Sequence, residues 1–254
     1  MRHFILVTLF LLIGFTNNNS AQDKDTLTIL FVGNSYTYFN NLHQVVEVLS
    51  DSTEIKIVAD HSTYPGAHLS DHYYSYKGIK TVDKIKSGDY DAVILQDFSM
   101  QGVYAPDSID YYVSRFAKIS KECGVKLYLF ETWAREIVPQ YQEEITSAYS
   151  KAALNSGAEI LPVGRIWKLA REINPNLEFF RTDGTHPSPL GTFLTAMTML
   201  YKFTGELPAN RVPDYFTTDY RGNNFYLMSV GELEFEFCKR IVQQFYNSNE
   251  NNKP

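Results

Sequence analysis

Three side chains in this sequence have the types and the order of a nucleophile, a base and the acid that orients it. Ser35 lies in the stretch "TLTILFVGNSYTYFN", residues 26–40, just past six apolar or β-branched residues from Leu27 to Val32. Far downstream, Asp183 precedes His186 by three positions in "FFRTDGTHPSPLG", a stretch rich in Gly and Pro. An Asp-x-x-His spacing brings a carboxylate within reach of the imidazole of its own loop, orienting the ring and stabilising its cationic form. A neutral imidazole so held can take the proton of a serine hydroxyl, and the serine oxygen then attacks an electrophilic carbon. Each feature alone has a plainer reading. A serine after a strand can cap a helix, and an Asp–His pair can be a loop hydrogen bond.

That chemistry needs a scaffold that brings residues 35 and 183–186 together. Strand-like runs cover Leu27–Val32, Glu54–Ala59, Ala92–Gln96 and Val125–Glu131, with a short fifth in "GAEILPVG". Helical spacing covers Leu42–Leu49, Ile109–Cys123, Tyr141–Ser156 and Leu190–Phe203, the second and third stopped by glycine. Short apolar strands alternating with helices predict a parallel sheet covered on both faces. Ligands of such sheets bind beyond the carboxyl ends of the strands. Ser35 falls there, near a helix start whose amides and dipole favour an oxyanion.

The 254 residues suit one α/β domain, with no internal repeat and a polar tail, "NSNENNKP", expected to fray. The opening "MRHFILVTLFLLIGFTNNNSAQ" has a basic residue, an apolar run from Phe4 to Phe15 and small residues at Ser20 and Ala21. This order predicts a signal peptide over 1–21 and an exported domain over 22–254, periplasmic or secreted. The apolar run is shorter than the roughly 20 residues of a membrane span, so no stable membrane anchor is expected. The net charge is −6, and no basic run tracks phosphates, so nucleic acid is not expected as a partner. Six histidines without paired ligand spacing give no metal signal. The two cysteines, Cys123 and Cys238, are read as buried thiols rather than a disulfide.

"FVGNSYT" and "DGTHPSPLG" resemble the first and last sequence blocks of the SGNH, or GDSL-type, hydrolases. The likeness is greatest to the secreted Gly-Asn-Ser branch, which includes carbohydrate esterases. The resemblance implies a flavodoxin-like three-layer α/β/α fold with a mostly parallel five-stranded sheet. It implies Ser35 as nucleophile, His186 as base and Asp183 as its partner. In "STYPGAHLSDHY", after the second strand, Gly66 resembles the glycine whose N–H enters the family's oxyanion hole with that of the serine. The third block departs from the family. The usual Gly-x-Asn-Asp loop is replaced by "VILQDFSMQG", so the amide donor is expected from Gln96, or else Gln101.

The resulting expectation is an esterase that cleaves small acyl groups, acetyl foremost, from a glycan or small-molecule ester, without a cofactor. A lipase, lysophospholipase or thioesterase would use the same site, and a non-catalytic glycan or flavin binder could share the fold. Eighteen tyrosines and 17 phenylalanines suit sugar stacking only loosely, with Tyr36, Tyr38, Tyr64, Tyr73 and Tyr74 near the expected crevice. In "ETWAR", Trp133 is expected to line a sugar subsite and Arg135 to bind a carboxylate or hydroxyls, with packing and a surface ion pair as the alternative. Oligomeric state is not legible in the sequence.

Overall fold

The computed structural model describes residues 25–219 and 221–250. The expected signal peptide over 1–21 lies outside them. The strands are β1 (Thr26–Gly33), β2 (Lys56–Thr63), β3 (Ala92–Leu95), β4 (Lys126–Phe130), β5 (Glu159–Leu161), β6 (Asp214–Thr218) and β7 (Asn224–Ser229). The helices are α1 (Ser35–Tyr38), α2 (Leu42–Ser50), α3 (Leu69–Tyr73), α4 (Thr81–Ser87), α5 (Gln101–Tyr104), α6 (Pro106–Cys123), α7 (Gln142–Ser156), α8 (Val163–Ile173), α9 (Pro189–Thr204) and α10 (Glu232–Glu250).

The first five strands form one parallel sheet in the order β2-β1-β3-β4-β5. Successive residues of β1 serve opposite faces. Ile29 and Phe31 pack with α2, α8, α9 and α10, while Leu30 and Val32 pack with α4, α6 and α7. Both faces are covered, so the strand reads as an unbroken apolar run. The expected three-layer α/β/α architecture is present. Chain order reverses between β1 and β3, which makes the end of β1 the switch point where such sheets bind ligands.

Several local expectations are corrected. The second strand starts two residues later, at Lys56, and runs on to Thr63, hydrogen-bonded in register along β1. The helix over Val163–Ile173 and the antiparallel β6–β7 hairpin were not anticipated from the pattern. The tail is helical as far as Glu250. Cys238 is buried as expected, and burial pushes its thiol up, but Cys123 is exposed. It closes α6, where the chain turns out of the helix toward β4.

Candidate active site

The site grows from the way β1 ends. Gly33 allows close approach, because a Cβ there would lie 2.3 Å from Thr37 Oγ1 and 2.4 Å from Gln96 Oε1. Asn34, not Ser35, caps α1, its Oδ1 accepting from the Tyr36 N–H at 3.1 Å. Asn34 Nδ2 donates to the Ala67 carbonyl at 2.9 Å, tying the serine turn to the loop after β2. From beneath, His72 completes the support. Its Nε2–H donates to the Gly33 carbonyl (3.0 Å) and its Nδ1 accepts from Thr81 Oγ1 (2.7 Å). Burial lowers this imidazole to about 4, so it is neutral and fixed in that tautomer at neutral pH.

Ser35 is thereby left as the first residue of α1 with its hydroxyl free of capping. Its Oγ is 2.8 Å from His186 Nε2, across 151 residues of sequence. His186 Nδ1 is 2.7 Å from Asp183 Oδ2, while Asp183 Oδ1 accepts from the N–H groups of Thr185 (2.8 Å) and His186 (2.9 Å). The Nδ1–H therefore donates to the carboxylate, and the Nε2 lone pair faces the serine. Burial raises the Asp183 carboxyl, but the bonds from the His186 ring, His186 N–H and Thr185 N–H outweigh it and hold the group down at about 2. The ring is packed face-on by Phe39, with centroids 4.3 Å apart, and edge-on by Tyr36 at 5.9 Å.

Ser35 and His186 open on a cleft of about 450 Å³. Gly66 lines it, in a turn from Tyr64 to Ala67 with Pro65 leading and a φ of 62° that favours glycine. The N–H of neither Ser35 nor Gly66 finds an acceptor among the described residues. Arg135 and Ser99 also line the cleft, with Arg135 Nη2 donating to Ser99 Oγ at 3.3 Å.

Three expected site residues are elsewhere. Gln96 is fully buried and does not line the cleft; its Oε1 accepts from the Asn34 N–H (2.9 Å) and Thr37 Oγ1 (2.9 Å), and its amide donates to the Asp97 carbonyl. Its carbonyl oxygen holds the serine turn, and its amide, buried outside the cleft, does not face an oxyanion formed there. Gln101 is buried outside the cleft as well. Trp133 is covered on both faces, stacked between Tyr36 (4.3 Å) and Trp167 (4.0 Å), so no sugar ring can reach it. Its indole N–H donates to the Thr185 carbonyl at 3.0 Å, steadying the histidine's loop. Of the tyrosines, Tyr36 and Tyr38 line the cleft and Tyr64 borders it. Tyr73 and Tyr74 pack instead in an aromatic cluster with Tyr112.

Phe39, Ser99 and Asn40 were missed from sequence. Asn40 Nδ2 reaches across to the Pro187 carbonyl (3.1 Å) and Thr192 Oγ1 (2.8 Å), joining the serine segment to the histidine's loop. The signal was present: Asn40 and Asn41 both have positive φ, which asparagine tolerates better than most residues.

No family model matches the sequence, and no curated protein sequence does. Among solved structures, the fold is similar to that of a DUF4886 family protein from Bacteroides uniformis, at TM-score 0.69 and 17% identity, covering 89% of this chain and 96% of that one. It is also similar to a protein from Slackia heliotrinireducens described as an SGNH hydrolase, at TM-score 0.58 and 21% identity, covering 72% of this chain and 100% of that one. A family 3 carbohydrate esterase from Clostridium thermocellum is similar at TM-score 0.54 and 15% identity, covering 70% of this chain and 94% of that one. With its switch-point serine turn and 2-1-3-4-5 sheet, the chain has the fold of the SGNH-type hydrolases.

Proposed function

We propose that this protein is an exported serine esterase of the SGNH type that removes small acyl groups, acetyl foremost, from carbohydrate. The observation that carries the reading is the unbroken line of hydrogen bonds from Ser35 Oγ through His186 to Asp183, ending in an open cleft. In this mechanism Ser35 Oγ attacks the ester carbonyl carbon while its proton passes to His186 Nε2. The N–H groups of Ser35 and Gly66 hold the oxyanion. With Gln96 and Gln101 outside the cleft, the third donor becomes the Ser99 hydroxyl, which accepts from Arg135 and can turn its own proton from the neighbouring Tyr36 oxygen to the oxyanion. His186 then protonates the departing sugar oxygen, and a water, deprotonated by the same nitrogen, cleaves the acyl-enzyme.

The carbohydrate part of the reading is supported by the modest size of the cleft and by the carbohydrate esterase among the structural relatives. A fluorophosphonate probe followed by peptide mapping tests the nucleophile, with Ser35 as the expected site of labelling. A series of p-nitrophenyl esters tests the acyl group, with acetate preferred over octanoate. Labelling at another serine refutes the mechanism, and a preference for long chains replaces the acetyl reading with a lipase or thioesterase.

A further inference from the structure

The cleft has an asymmetry of charge that the hydrolysis of a neutral ester does not require. Arg135 is half-buried in its wall and has no carboxylate partner among the described residues. Its polar neighbours there are Ser99, bonded at 3.3 Å, and the Tyr36 hydroxyl; its Nε is buried without an acceptor, and its guanidinium otherwise lies 5.9 Å from the centre of the Phe98 ring. A buried charge is costly unless something pairs with it. A second arginine stands at the rim. Arg181 lies 5.4 Å over Phe39, a ring that also stacks on His186, and it too lacks a carboxylate partner among the described residues. The nearby acids are already committed or turned away. Asp183 is bonded to His186, Asp71 to Lys77, Asp97 accepts from the N–H groups of Leu69 and Phe98, and the Glu136 carboxylate packs against Gly184 on the side of a separate cavity beside Trp167. All this occurs on a chain whose net charge is −6, so the positive mouth is local and not a general property of the surface.

We propose that the natural ester carries a carboxylate, gripped by Arg135 inside the cleft and drawn to its mouth by Arg181. The inference rests on the esterase reading above and adds to it the charge of the substrate. A guanidinium fork suits a carboxylate because two parallel N–H donors meet two oxygens. Its remaining N–H groups can do this while one stays on Ser99. The carboxylate can stand on the alcohol side, as in an acetylated uronic acid unit of an acidic glycan, or on the acyl side, as in a dicarboxylic half-ester.

Two matched pairs of substrates separate these. On the alcohol side, O-acetylated methyl glucuronoside is compared with O-acetylated methyl glucoside. On the acyl side, mono-p-nitrophenyl succinate is compared with p-nitrophenyl butyrate. The anionic member of one pair is expected to have a kcat/KM at least about tenfold higher, an advantage that shrinks with added salt. The pair showing it identifies the side. In Arg135→Gln the anionic-to-neutral ratio is expected to fall toward one, with partial recovery in Arg135→Lys, and Arg181→Gln is expected to weaken the salt dependence. Ratios near one in both pairs, in an enzyme that hydrolyses p-nitrophenyl acetate, overturn the inference and leave the esterase reading intact. A ratio unchanged in Arg135→Gln, with both rates lowered together, also overturns it and confines Arg135 to supporting Ser99. Absence of turnover on every ester removes the esterase reading and this one with it.

Discussion

At the scale of single residues, the proposed esterase separates groups that transfer protons from groups that only hold them. Ser35 is not the cap of α1, since Asn34 does that. Ser35→Ala is therefore expected to spare stability and to lower kcat on p-nitrophenyl acetate by several orders of magnitude. His186→Ala should match that loss, and the double variant should be no worse than either single one, because the two act as a unit. Asp183→Asn should lose less than either, since the carboxylate orients and stabilises the imidazole without taking its proton. With Asp183 held down at about 2, the carboxylate stays ionised well into the acid range and keeps its bond to the imidazole. These three residues were legible because their chemistry is written in type and spacing. Gln96 was misread for a different reason. It follows a strand, and its amide turns back beneath the neighbouring chain to Asn34 and Thr37, a direction that no linear pattern encodes.

At the scale of elements, the turn from β1 into α1 is the most tightly determined part of the site. It is held by Gln96 from β3, by the Asn34 bond to Ala67 and by His72 from α3. Gly33→Ala places a methyl within 2.4 Å of two buried oxygens, Thr37 Oγ1 and Gln96 Oε1, neither of which can retreat without breaking their mutual 2.9 Å bond. The expected cost is about 1–3 kcal/mol in urea denaturation, with a drop in kcat as the serine shifts. Full activity at unchanged stability would mean that the turn is looser than its contacts indicate. The five sheet strands and four of the helices were visible because periodicity and glycine stops survive in one dimension. The helix over Val163–Ile173 was hidden by its start, "LPVGR", where Pro162 and Gly164 look like a loop. Yet Gly164 is needed there, since a Cβ would lie 2.1 Å from the Thr132 carbonyl. Trp133 was misjudged because an aromatic residue past a strand reads alike whether its faces are open to the cleft or closed by Tyr36 and Trp167.

At the scale of the whole molecule, stability is tied to pH through groups that no motif marks. His72 and His43 are each lowered to about 4, in both cases chiefly by burial, with the neighbouring His61 and Lys84 adding to it for His43. In an unfolded chain a histidine titrates near 6.5. As pH falls from about 6.5 toward 4, the unfolded state gains protons at these positions and the folded state does not. Each such group then removes about 1.4 kcal/mol of stability per pH unit until the folded value is passed. His61, an exposed residue whose ring lies beside His43, is lowered in the same direction. Asp97 acts in the opposite sense. Burial raises it to about 6, against the N–H bonds it accepts from Leu69 and Phe98, so the folded state gains a proton there before the unfolded state does. Glu47 and Glu131, raised chiefly by burial, act with Asp97, but the unfolded histidine value near 6.5 is met first on acidification, so the protein is expected to lose stability on going from pH 7 to pH 5. His43→Phe isolates one contribution. The side chain remains a ring beside Phe31 and loses a buried Nδ1 that has no hydrogen-bond partner among the described residues. Urea denaturation across this range should show a slope shallower than that of the wild type by up to about 1.4 kcal/mol per pH unit. An unchanged slope would mean that His43 titrates alike in the folded and unfolded chains. A wild type that gains stability on acidification would mean that Asp97, not the buried histidines, governs the acid response.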